Sequence, residues 1–226
     1  MSPSESPPAP KRVAPNVRYG RYAGLLALLL LALVTINTIA TKPNGDKGIA
    51  PGEKLAPFAA PLVLGGLQGS ADVATEPDQG SAGRVPACKL RGPQILNICE
   101  LYEQGPVVLA LFVDAGSCPK VLGDMQALRS SFPQVRFAAV AIKGERTQVR
   151  ALTRAHGLTF PVGLDGDGRL VALYRMATCP QVSFALPGGV VQSQALLSRP
   201  SRATLRARVA ELVAAATARG WKAPAS

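Results

Sequence analysis

Residues 106 to 119 read P-V-V-L-A-L-F-V-D-A-G-S-C-P. The first eight form a continuous apolar run of strand length, rich in β-branched residues, as expected for a strand buried on both faces. The turn D-A-G-S-C-P follows, and beyond it Val121, Leu122, Met125 and Leu128 fall on one helical face. Pro119 sits in the first turn of that helix, where its missing N–H costs nothing. Phe132-Pro133 ends the helix. V-R-F-A-A-V-A-I, 135 to 142, is a second buried strand, and E-R-T-Q-V-R-A-L-T-R-A-H, 145 to 156, is a helix closed by Gly157. This β-α-β-α alternation implies parallel pairing and an α/β fold.

Working outward toward the C-terminus, F-P-V-G-L (160 to 164) is a short strand. The D-G-D-G turn and a helical R-L-V-A-L-Y-R-M (169 to 176) lead from it to Thr178-Cys179-Pro180. Q-V-S-F-A-L-P, Gly188-Gly189 and V-V-Q-S-Q-A-L-L then read as an antiparallel hairpin on a two-glycine turn. Ser201 caps a last helix whose Leu205, Val209, Leu212, Val213 and Ala216 share a face, with its arginines on the solvated side and Gly220 at its end. Toward the N-terminus, F-A-A-P-L-V-L-G-G-L-Q (57 to 67) reads as an entering strand and E-P-D-Q-G-S-A-G (76 to 83) as a loop. The segments V-P-A-C-K-L and I-L-N-I-C-E-L flank R-G-P-Q, a hairpin-like signal that brings Cys88 and Cys99 alongside each other.

The 226 residues suffice for a short anchor and one domain of about 150 residues. The formal net charge of +11 is concentrated in residues 1 to 22 and from Arg199 onward, and aromatic residues are only 5%. Basic and aromatic interleaving is therefore missing, and nucleic acid is excluded as a partner. Residues 23 to 40 contain eighteen residues without a charge, spanning roughly 27 Å as a helix. Tyr19 and Tyr22 stand at its leading edge, and four cations precede it. The positive-inside bias leaves residues 1 to 22 as a disordered cytoplasmic tail, 23 to 40 as a single-pass anchor and everything after Thr41 outside. The rival reading is a cleaved signal peptide, with Thr38 and Ala40 at the cleavage site. Residues 41 to 56 form a tether, 57 to 219 the domain, and 220 to 226 a tail.

Export changes the meaning of Cys88, Cys99, Cys118 and Cys179, because disulfides persist outside the cytoplasm. No two are spaced as C-x-x-C, and with His156 the one histidine of the chain, a metal site has little to build on. No cofactor is called for. Cys88 and Cys99 read as a structural bridge, against an alternative in which one of them resolves Cys118 from a flexible loop. His156 ends a helix and reads as a capping cation rather than a catalyst.

Taken in order, P-V-V-L-A-L-F-V, S-C-P at a helix start, V-R-F-A-A-V-A-I, F-P-V-G-L-D-G-D-G and C-P-Q-V-S-F-A-L-P-G-G-V-V resemble the membrane-anchored thioredoxin-like proteins of the TlpA and redoxin type. The likeness covers about residues 52 to 215. It implies a thioredoxin-like α/β fold with a mixed central sheet flanked by helices, and thiol-disulfide oxidoreductase activity. It also implies that Pro180 is cis and faces the active-site sulfur, that the nucleophile matches Cys118, and that Cys179 lies beside it. The chain departs from the family where the second cysteine of C-x-x-C matches Val121, so that the active turn reads C-P-K-V. The peroxidase branch of the superfamily fits no better, having Thr or Ser and Pro where this chain has Ala115 and Leu111.

Cys118 at a helix N-terminus, with Lys120 close by, has the setting of a lowered thiol pKa, against the alternative of an inert half-buried cysteine. Cys179 can replace the missing partner as redox couple or as permanent staple, against the alternative of an unpaired small residue buried on the active-site turn. In the redox reading Cys118 is the accessible sulfur and Cys179 the buried one. Asp114 can assist proton transfer or be a plain turn aspartate. The partner implied is a thiol-bearing or disulfide-bearing envelope protein. The rival classes are a catalytically degenerate binding module and a thiol peroxidase.

Overall fold

The computed structural model describes residues 17–40 and 48–223 of the chain. The chain divides into two compact units, residues 1–43 and 44–226. In the first, helix α1 (Val17–Ala40) contains the whole 23 to 40 run. From Tyr22 to Thr35 its side chains are exposed, among them Leu25, Leu26, Leu28 to Leu31, Leu33 and Val34. Among the described residues no helix is long and apolar enough to cross a membrane. Of the tail expected to be disordered over residues 1 to 22, residues 17 to 22 are helical and belong to α1, while residues 1 to 16 lie outside the described residues, as do the side chains of residues 36 to 40, the start of the tether at 41 to 47 and the last residues 224 to 226. The described part of the expected tether is bound into the domain, with Leu55 buried and its N–H on Gly189 O at 2.8 Å.

The second unit is built on a five-stranded sheet of β3 (Val107–Phe112), β4 (Arg136–Ile142), β5 (Val162–Asp165), β6 (Gln181–Ala185) and β7 (Val191–Leu196), in the order β5-β4-β3-β6-β7. The run that opens the sequence reading is the central strand. β3, β4 and β5 are parallel, while β6 and β7 run antiparallel to their neighbours, which makes the sheet mixed. The alternation along β3 explains why the run is apolar throughout. Val108, Ala110 and Phe112 join the buried cluster under α3 (Lys120–Arg129) and α6 (Arg202–Ala218), while Val107, Leu109 and Leu111 join Phe58 and Tyr174 on the opposite face. α4 (Arg146–Ala155) closes at Gly157, whose φ of +56° suits glycine. Ser201 caps α6, its Oγ accepting the Thr204 N–H at 3.0 Å.

Three local expectations change. The entering strand is only β1 (Ala59–Pro61), and it pairs antiparallel with β2 (Ile95–Asn97) in a separate two-stranded sheet. The helical stretch after the D-G-D-G turn, α5, covers Arg169–Leu173 and stops there, because Arg175 takes φ +49° and turns the chain toward Cys179. The turn between β6 and β7 centres on Pro187-Gly188, closed by the Gly189 N–H on Leu186 O at 2.9 Å, with Gly188 at φ +84°. Pro then Gly is the type II preference. Gly189 follows at φ +89°, and a Cβ there would stand 2.7 Å from the Tyr102 ring.

The segment around R-G-P-Q is not a hairpin either. Cys88 lies in a 3-10 turn, Ala87–Lys89, and Cys99 in helix α2 (Ile98–Gln104). Asn97, 2% exposed, holds them together. Its side-chain oxygen caps α2 by accepting the Cys99 N–H at 2.9 Å, and its Nδ2 donates to Ala87 O and Leu90 O at 2.8 Å each. Cys88 and Cys99 are disulfide-bonded, with Cα atoms 5.4 Å apart and 11 residues between them in sequence. Closing so short a loop removes about 3 kcal/mol of chain entropy from the unfolded state.

Candidate functional site at the end of the central strand

β3 delivers the chain at Val113 into the turn Asp114 to Ser117, and α3 begins at Lys120. Cys118 therefore stands just before the first turn of a helix, where backbone N–H groups lack intrahelical partners and favour negative charge. The adjacent antiparallel strand β6 starts at Gln181, one residue after Pro180. The Cys179-Pro180 peptide bond is cis. Because β3 and β6 pair Leu111 with Gln181, the residues beyond these ends, Cys118 and Cys179, reach the same edge of the sheet. They are disulfide-bonded, with Cα atoms 5.4 Å apart across a sequence separation of 61. The Val113 N–H serves both sulfurs, at 3.1 Å from Cys179 Sγ and 3.4 Å from Cys118 Sγ.

Exposure around the pair differs from expectation. Cys118 is only 4% exposed and belongs to the buried cluster that holds Phe112, Val121 and Val182, whereas Cys179 is half-buried. The cause is local. The start of α3 turns Cys118 toward the sheet, while Cys179 lies in a bend between the exposed Thr178 and the buried Pro180. Lys120 is exposed in the first helical turn, two residues from Cys118. Asp114 is exposed on the turn. His156 is exposed at the end of α4, and among the described residues its ring makes no hydrogen bond, so that only its backbone N–H, on Leu152 O at 3.0 Å, closes the helix. Among the described residues no cluster of His, Cys, Asp or Glu could hold a metal ion.

Two features near the site were not anticipated. Asp124, 7% exposed on α3, takes Arg202 Nε at 3.0 Å and Arg199 Nη2 at 3.5 Å, pinning the helix that follows Cys118 to the start of α6. Its signal was available: a carboxylate three residues after Val121 and four before Leu128, on the apolar face, needs partners. The second is the D-G-D-G turn. Burial pushes the Asp165 carboxyl above its ordinary value, although its oxygens accept the Leu170 N–H at 2.8 Å and the Arg169 N–H at 3.2 Å. Asp167 also loses hydration, but hydrogen bonds from Ser70 and Arg169 outweigh that loss and hold it below its ordinary value. Both carboxylates are used in fixing the turn that leads into α5.

Chemically, the arrangement offers two sulfurs joined across loops that are far apart in sequence, at a helix start and beneath a shared backbone donor. Such a pair can cycle between disulfide and dithiol, or it can staple the loops.

No protein-family model matches the chain, and no curated protein matches it in sequence. Solved structures do resemble it. A thiol:disulfide interchange protein of the thioredoxin family from Chlorobium tepidum is 12% identical over 73% of this chain and 99% of that one, with a TM-score of 0.53. The thioredoxin domain of a thiol-disulfide oxidoreductase from Bacteroides vulgatus is 10% identical over the same shares, also at 0.53. An uncharacterized conserved protein from Geobacillus kaustophilus is 14% identical over 80% of this chain and 89% of that one, with a TM-score of 0.55. At such identities the likeness carries the fold alone: the described residues 48–223 form a thioredoxin-like α/β domain.

Proposed function

We propose that the protein exchanges thiols and disulfides through Cys118 and Cys179, outside the cytoplasm and tethered by residues 23 to 40. One observation carries the reading: Cys179 supplies, from the far side of a cis proline, the second sulfur that C-P-K-V lacks in the active turn. In the reduced pair the Cys118 thiolate attacks a sulfur of the partner's disulfide. A mixed disulfide forms and one partner thiolate leaves, taking a proton. Cys179 then attacks Cys118 Sγ, the mixed disulfide breaks, and the second partner thiolate is released. Two electrons pass to the partner and the Cys118–Cys179 bond is formed. The reverse sequence oxidises a partner dithiol.

The greater exposure of Cys179 favours a second reading, in which Cys179 is the entering sulfur and Cys118 the one that resolves. Lys120 and the helix start favour Cys118 as the stabilised thiolate in either direction. A disulfide map under graded dithiothreitol separates both readings from a staple. Cys118–Cys179 is expected to open at low reductant while Cys88–Cys99 stays closed. Two bridges that resist together would leave a stabilised scaffold without redox chemistry.

The tether rests on the apolar side chains exposed between Tyr22 and Val34 of α1, a surface suited to lipid rather than water. Two disulfides fit an oxidising compartment. Protease added to cells with a permeabilised envelope is expected to remove the domain and leave a membrane-held N-terminal fragment. A soluble mature chain beginning near Thr41 would instead establish a signal peptide.

A further inference from the structure

Val107 and Arg136 pair in register at the beginnings of β3 and β4, so this edge of the sheet is the one opposite Cys118. A cavity of about 640 Å³ opens there, a size that takes a small molecule. Two cations line it, Arg129 and Arg136, and no carboxylate does. The Nε of Arg136 is buried without a hydrogen-bond partner, and among the described residues Arg136 forms no ion pair. A guanidinium is always charged and presents its donors in a planar fork matched to a carboxylate or phosphate. That Nε is closed to the cavity, so a ligand oxyanion would meet the guanidinium at its terminal Nη groups, which form no hydrogen bond among the described residues and are not buried.

The rest of the cavity is organised to match. Arg129 Nη1 donates to Thr159 Oγ1, which also accepts Gln126 Nε2 at 2.9 Å, while the Thr159 N–H returns to Gln126 Oε1 at 3.0 Å. This network fixes the head of Arg129 beside the cavity and leaves its other N–H groups available. Phe137 and Phe160, 3% and 4% exposed, contribute to an apolar wall together with Leu101 and Val135. A polar anchor set against an apolar wall is the ordinary make-up of a small-molecule site.

We propose that this cavity binds a small soluble ligand whose carboxylate or phosphate group is held by Arg136 and Arg129, and whose apolar, ring-sized body lies against Phe137 and Phe160. The site is separate from the disulfide and does not depend on its chemistry.

The test uses the full chain in nonionic detergent, titrated with phenyl phosphate and followed by the Arg136 Nε–H resonance and the melting temperature. Saturable movement of that resonance and a rise in melting temperature are expected. Benzyl alcohol, which keeps the ring and lacks the oxyanion, should give neither, and inorganic phosphate should bind at least about tenfold more weakly. R136Q should weaken phenyl phosphate at least about tenfold, and R129Q should do so to a smaller degree. The proposal is overturned if benzyl alcohol or inorganic phosphate binds as well as phenyl phosphate, if R136Q binds it like the native chain, or if the native Arg136 resonance does not move. Should R136Q fail to fold, the three-ligand comparison on the native chain decides by itself.

Discussion

Replacing Cys179 by serine is expected to leave the protein covalently attached to its partners through Cys118, because attack still proceeds and nothing resolves the adduct. Non-reducing electrophoresis of acid-quenched cells would show high-mass adducts that collapse with reductant, and peptide mapping would locate the bond at Cys118. Cys118→Ser should show none and should lower exchange turnover by roughly a thousandfold or more, since a hydroxyl cannot take the place of the attacking sulfur. If adducts instead accumulate through Cys179 in the Cys118→Ser chain, the roles are reversed, as the exposure of Cys179 suggests. Adducts in neither variant would sink the exchange reading. Removing the bridge also takes away about 4 kcal/mol of loop-closure stabilisation for a separation of this length. Both variants should therefore be compared with reduced native protein, which lacks the bridge too.

Phe112→Ala should destabilise the domain by about 3–5 kcal/mol. Phe112 is fully buried at the end of the central strand, in the cluster that carries Val121, Leu122 and Phe184, and truncation leaves a cavity where β3 hands over to the cysteine turn. For a domain of this size the loss lowers the melting temperature by roughly 10 °C. The exposed Leu67 serves as the control, and its replacement by alanine should change stability by less than about 0.5 kcal/mol. A Phe112→Ala chain that melts like the native one would contradict the packing described for β3.

The parts of the fold that were legible share one property: their signal lies within a dozen consecutive residues. The run at 106 to 113 has no polar residue because both of its faces are covered, and the 3.6-residue spacing of Val121, Leu122, Met125 and Leu128 matches the side of α3 that is buried. Where two weak local signals had to be weighed, the reading went astray. V-P-A-C-K-L and I-L-N-I-C-E-L look like hairpin arms, yet the second serves as a strand for β1 and then as a helix, because Asn97 offers its side chain to the α2 N-terminus and to the Cys88 loop together. No propensity scale records that one amide satisfies four backbone groups from two segments.

The sequence by itself determined the order of strands and helices from β3 onward, the even set of four cysteines, the proline after Cys179 and the absence of a second cysteine in C-P-K-V, since each of these is a matter of residue type and local period. Only the tertiary structure decided what stands beside what. It joined Cys118 to Cys179 under one Val113 N–H, turned Cys118 inward and left Cys179 outward, buried Asp124 between two arginines of another segment, and left Arg136 without an acceptor. The physical reason is that pairing and burial depend on residues tens of positions apart, brought together by the sheet register. The energy of each such contact depends on what surrounds it, and no stretch of sequence contains that information.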